Sequence, residues 1–140
     1  MEIVQDTSVF VAALRSQEGA SAEVLDRCLA LKDQAIMGAG LLAEYEELVQ
    51  RESVWRGVPV TVAEREALLD DFCAAAVWHP VYFRWRPNLP DADDDHVLEL
   101  AIAAGVQHLV THNTRDFGRG ELKFTIPLVV TPAQHLKAVK

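Results

Sequence analysis

The chain has 140 residues, of which 50% are hydrophobic and 24% charged, and its formal net charge is −8. A chain of this size buries roughly two-thirds of its unfolded surface, enough for a single domain over residues 1–140 without disulfides or a structural metal. The composition excludes disorder and fibrous repeats, no apolar run reaches the ~20 residues needed to span a bilayer, and the negative charge excludes a nucleic-acid binder held by bulk attraction.

Glu2–Asp6 reads as a short strand, and Thr7–Arg15 as the apolar helix that follows it. Its first residues carry no basic segment and apolar run of the export type, so a cytoplasmic protein is expected. Ser21 is expected to cap a helix through Leu31, on which Val24, Leu25, Cys28 and Leu29 recur at helical spacing. Cys28 and Cys73 have no metal-type spacing and read as reduced core thiols. Gln34–Met37 is expected as a strand, and Gly40 to about Arg51 as a helix. Thr61-Val62-Ala63-Glu64 fits a capping box opening a helix to about Ala76.

Val77–Phe83 is rich in aromatic and β-branched residues, and Pro80 suggests an edge or irregular strand. Its aromatics, with Trp85, read as a buried or dimer-facing cluster. Arg84–Pro90 is expected as a loop, followed by a helix after Asp91–Asp95 that ends near Gly105, a residue suited to a left-handed stop. Leu109–Thr111 and Ile126–Val130 read as strands, and Thr131-Pro132 as the start of the last helix. Strands alternating with helices predict an α/β fold with a parallel sheet covered on both faces. Ligands of such sheets gather beyond the carboxyl ends of the strands, at the topological switch point.

Acidic residues stand at those ends. Asp6 closes the first strand, Asp91-Ala92-Asp93-Asp94-Asp95 precedes a helix, and Asp116 follows a later strand. Each alone reads as a helix cap, a dipole partner or a turn residue. Glu44 and Glu46 fall about 40° outside opposite borders of the apolar stripe of their helix, so periodicity does not choose between them. Should such carboxylates converge, two of them about 5 Å apart repel by roughly 3 kcal/mol at an effective dielectric near 20. They must then keep protons or take up a divalent cation, and oxygen-only ligands suit Mg²⁺ or Mn²⁺. An acidic oxygen site with vacant positions suits hydrolysis of a phosphodiester.

The segments that carry these acids resemble the PIN-domain family, specifically its small stand-alone toxin-type members. The resemblance runs through Val4-Gln5-Asp6-Thr7-Ser8-Val9-Phe10, then Leu41-Leu42-Ala43-Glu44-Tyr45-Glu46, then Asp91 to Ala101, and finally Gly105 to Phe117. It implies a Rossmann-like three-layer fold with four to five short parallel strands. It selects Glu44 over Glu46 as the second acid and Asp94 as the third, with Asp91 beside it and Asp116 as the fourth. It implies an Mg²⁺- or Mn²⁺-dependent endoribonuclease, an RNA substrate, a cognate antitoxin that inserts basic residues toward the acids, and often a homodimer. Asp6, Glu44, Asp94 and Asp116 are then the catalytic and metal-holding residues. Thr7, Ser8, Thr111 and Asn113 are candidates for hydrogen bonds to substrate, and Arg84, Arg86, Arg115 and Arg119 for phosphate contacts. Ser8 replaces the usual Asn, and Asn113 stands where many relatives carry Asp. These departures keep a second reading open, a catalytically weak module that binds RNA or protein. Chemistry through an aspartyl phosphate fits poorly, because Ser8 occupies the place of the second Asp such sites need. The histidines are expected in core or surface roles, since the strand-like Leu109–Thr111 separates His108 from His112.

Overall fold

The computed structural model describes residues 1–81, 92–118 and 127–140; the side chains of residues 92–95 and 116 lie outside the described set. In chain order the elements are β1 (Glu2–Gln5), α1 (Thr7–Arg15), α2 (Ala20–Leu29), β2 (Gln34–Met37), α3 (Ala39–Gln50), a 3₁₀ turn (Glu52–Trp55), α4 (Val62–Ala75), β3 (Val77–Trp78), α5 (Ala92–Ala104), β4 (His108–Val110), α6 (Thr114–Gly118), β5 (Leu128–Val130) and α7 (Pro132–Val139). The five strands form one parallel sheet in the order β3-β2-β1-β4-β5. The chain moves outward from β1 through β2 to β3, then crosses back to β4 on the other side of β1. The switch point of the sheet therefore lies between β1 and β4. Among the described residues no helix is long and apolar enough to cross a membrane.

Local signals act where the sequence places them. Thr61 accepts from the Glu64 amide and Glu64 returns the bond to the Thr61 amide. Thr131 and Gln134 do the same at α7, with Pro132 in its first turn. Gly105, at φ +64°, ends α5, and the Val106 amide closes back on the Ala101 carbonyl. Two expectations need correction. Helix α2 starts at Ala20 after Gly19, so Ser21 lies inside its first turn and does not cap it. Its hydroxyl meets a side chain from a distant loop instead, and the helix stops at Leu29. The strand expected over Val77–Phe83 is described only at Val77–Trp78; Trp78 is 51% exposed at the sheet edge, and Tyr82, Phe83 and Trp85 lie outside the described residues.

The core beneath the switch point is aromatic. Phe10 meets Tyr45 edge-on at 5.4 Å between centroids and Trp55 at 6.4 Å, while Tyr45 packs on Phe72 at 5.7 Å. The buried Tyr45 hydroxyl donates to the Gln5 carbonyl at 2.7 Å, tying α3 to the last residue of β1. Arg65 is buried too: its guanidinium bonds the Val49 and Val60 carbonyls and Glu52, and lies over Trp55. Helix α5 packs on β1, β2 and β4 and against α3. A Cβ at Gly38 would meet Leu100 Cδ1 at 3.0 Å, and one at Gly40 would meet His96 at 3.2 Å, so glycine lets the start of α3 approach α5 closely. Cys28 and Cys73 are free thiols, and burial pushes Cys28 up to about 12, which makes it inert.

Candidate active site

Asp6 follows β1 directly, and its amide donates to the Val110 carbonyl at 2.9 Å, so the sheet holds it at the switch point. By backbone position it is the N-cap of α1, yet its carboxylate makes no cap bond. Instead Oδ2 accepts from Ser8 Oγ and from Thr111 Oγ1, each at 2.8 Å. Asp6 is 4% exposed, and among the described residues no cation and no donor to Oδ1 meets it. Burying a carboxylate on two neutral hydroxyls leaves its charge only partly compensated.

The hydroxyls are themselves fixed. Ser8 Oγ accepts from the His112 amide at 3.2 Å, and Thr111 Oγ1 from the Asn113 amide at 3.0 Å. Ser8 and Thr111, expected to contact substrate, are thus turned toward Asp6 and position it. This bonding also accounts for a serine after the Asp-Thr pair, since its short side chain reaches Oδ2.

Glu44 comes from α3. The buried residues of that helix are Leu41, Tyr45 and Val49, whose anchorage in the aromatic core sets its rotation. Glu44 is consequently half-buried and lines the same cavity as Asp6, whereas Glu46 is exposed and takes no part in it. The cavity holds about 650 Å³, and its walls include Thr7, Ser8, Asn113, Arg15, Arg51, Glu47 and His112.

Other candidates are placed less completely. Asp94 lies in the first turn of α5 and Asp116 within α6, but their side chains are outside the described residues, as are Asp91, Arg84, Arg86 and Arg119 altogether. Among the described residues no three Asp, Glu, His or Cys side chains stand close enough to hold a metal. Arg115 is exposed on α6 and is not part of the cavity wall. The basic side chains that do line it are Arg15, which donates to the Val54 carbonyl, and Arg51, paired with Glu47. Sequence reasoning missed both; their place in or just after the last turns of α1 and α3 is the signal that could have found them.

These features belong to a recognised class. The PIN domain family model matches residues 2–115, and the chain belongs to that family. PIN domains are generally nucleases and usually use a divalent metal. Among solved structures, the VapBC2 complex of Rickettsia felis, bound to a DNA fragment from its promoter, contains a chain that is similar in fold. The match has a TM-score of 0.63 and 18% identity and covers 93% of this chain and 97% of that one. No curated protein sequence matches the chain significantly.

Proposed function

We propose that the protein is a metal-dependent endoribonuclease, the toxin of a toxin–antitoxin pair acting in the cytoplasm. The observation that carries this reading is Asp6: a carboxylate buried at the switch point, held among the described residues by two neutral hydroxyls, and lining the cavity that Glu44 also lines. An all-oxygen donor set of this kind fits Mg²⁺ or Mn²⁺. Asp6, Glu44 and Asp94 are the residues to hold the ion, with Asp116 as the fourth acid and Asp91 beside it. When bound, such an ion lowers the pKa of water and neutralises charge on the phosphate.

The chain's own groups do the rest. Ser8 and Thr111 fix the Asp6 carboxylate by Oδ2 and leave Oδ1 for the cavity. Thr7 and Asn113 are the polar groups that meet the RNA backbone at the rim, and Arg15 and Arg51 add positive charge to an otherwise acidic wall. Arg84, Arg86 and Arg115 are proposed as further phosphate contacts. A cognate antitoxin is the proposed protein partner, and a homodimer the proposed assembly.

A digest of RNA with and without added Mn²⁺ tests this reading, with Asp6→Asn as control. Cleavage that needs the metal and disappears in Asp6→Asn is expected. RNA binding without cleavage would favour the alternative module, for which Ser8 in place of Asn and Asn113 in place of Asp are the residues that speak.

A further inference from the structure

Among the described residues, the cavity wall carries one imidazole, and the acid site does not use it. His112 follows Thr111, and its amide donates to Ser8 Oγ. Its ring crosses to another element, with Nε2 2.7 Å from Ser21 Oγ in the first turn of α2. Ser21 is 4% exposed, so this exposed imidazole is moored to a buried hydroxyl while lining the same cavity as Asp6 and Glu44. The bond explains why Ser21 does not cap its helix. It also gives the ring a polarity. In the imidazolium both ring nitrogens carry protons, so Ser21 Oγ then accepts from Nε2–H, and the other proton, on Nδ1, has no partner among the described residues.

We propose that His112 donates a proton to the leaving oxygen during phosphodiester cleavage and that Ser21 is its positioning residue. The inference rests on the reading of the site as a phosphodiesterase. A water oxygen bonds to phosphorus as the bond from phosphorus to the leaving ribose oxygen breaks. That oxygen takes the bonding electron pair and the Nδ1 proton of the imidazolium. The attacking water releases its proton to solvent, from which the ring, still bonded to Ser21 through Nε2–H, is reprotonated at Nδ1. A positioned general acid contributes on the order of 10²–10⁴ to the rate.

The test compares an RNA oligonucleotide with a p-nitrophenyl nucleotide diester, whose leaving group departs without a proton. His112→Gln is expected to lower kcat on RNA by about a hundredfold or more, with little change in KM and nearly unchanged cleavage of the p-nitrophenyl ester. Ser21→Ala should lower kcat on RNA less, and Ser21→Thr should restore it. Nitrogen NMR of the imidazole should show Nε2 protonated in the neutral ring of the parent, and that preference lost in Ser21→Ala. Equal losses on both substrates, or a loss confined to KM, would make His112 a phosphate or structural contact and overturn the proposal. Unchanged RNA cleavage in His112→Gln would overturn it alone. A parent that cleaves neither substrate with metal present overturns the site reading and this inference with it.

Discussion

At the carboxyl end of the sheet Asp6 receives two hydroxyl protons, whereas at the amino end Asp33, just before β2, receives Arg27 Nε and His135 Nε2, each at 2.8 Å on Oδ2. Both carboxylates are buried. Burial of Asp33 by itself raises its pKa, but the bonds and charge of Arg27 and His135 outweigh it and hold the carboxyl at about 2. The network extends further: His135 Nδ1 lies 2.8 Å from His108 Nδ1 at the first residue of β4. Because His135 donates Nε2–H to Asp33, a neutral ring accepts at Nδ1 from His108. The amino end thus joins α2, α7 and two strands through a charge that is matched by a cation. The carboxyl end holds a charge that no described cation matches. A matched buried charge locks a fold, whereas a buried charge at a cavity with no described cation beside it is where the proposed reading would put an external one.

The largest expected effect breaks the matched end. Asp33→Ala strands Arg27 and a buried imidazole, and removing one member of such a pair costs about 3–5 kcal/mol. Chemical denaturation would measure it, while the activity of the molecules that remain folded should match the parent. Next comes the opposite end. Asp6→Asn removes an under-compensated charge, so stability should hold or rise while RNA cleavage falls by more than about a hundredfold, beyond the loss typical of supporting residues. If Asp6→Asn destabilised the protein as Asp33→Ala does, the two ends would not differ in kind.

Acidification should reach the amino end in two stages. Burial first, then the charge of His135, lower the pKa of His108 below its ordinary 6.5. The unfolded chain therefore binds the proton more readily, and the contribution of His108 is complete above about pH 6.5 and declines as pH falls below it. Asp33, depressed to about 2 from an ordinary 3.8, contributes fully above about pH 4 and loses that contribution as pH falls toward 2. Melting temperatures across this range should fall in both windows, and His108→Gln should remove the upper one only. A smaller effect is expected of Thr111→Val, which deletes one of the two hydroxyls on Asp6 Oδ2. Supporting groups of this type are worth roughly 10–100-fold in metal affinity or activity, which Mn²⁺ titration and cleavage rates would both register.

What the sequence disclosed of this contrast depended on how far apart the partners stand. The caps at Thr61 and Thr131 and the stop at Gly105 were legible because each is made within a few residues. Asp6 stood out by its position at a strand end. The Ser21 hydroxyl was misassigned because its partner, His112, lies 91 residues away. Periodicity left Glu44 and Glu46 equivalent; the rotation of α3 is set by Tyr45 packing against Phe10 and Phe72, contacts that only the fold creates. The amino-end network was not foreseen at all, since Asp33 and His135 are 102 residues apart. Arg65 was equally hidden, a charged residue whose carbonyl partners come from the end of α3 and the loop before α4.

A third buried carboxylate sharpens the comparison. Glu99 on α5 is 6% exposed, and its Oε1 meets neither a hydroxyl nor a cation among the described residues. It faces a separate cavity of about 230 Å³ with His79, His96 and the start of α3. A buried polar atom without a partner carries a desolvation penalty of ~1–3 kcal/mol, and apolar groups of similar size in such places are often neutral or stabilising. Glu99→Leu is therefore expected to raise stability by about 1 kcal/mol, read from the midpoint of urea unfolding. A loss of stability would mean that Glu99 has a partner in solution and belongs with Asp33. A gain in stability together with a loss of RNA cleavage would place Glu99 with Asp6, as a charge kept uncompensated because the site needs it.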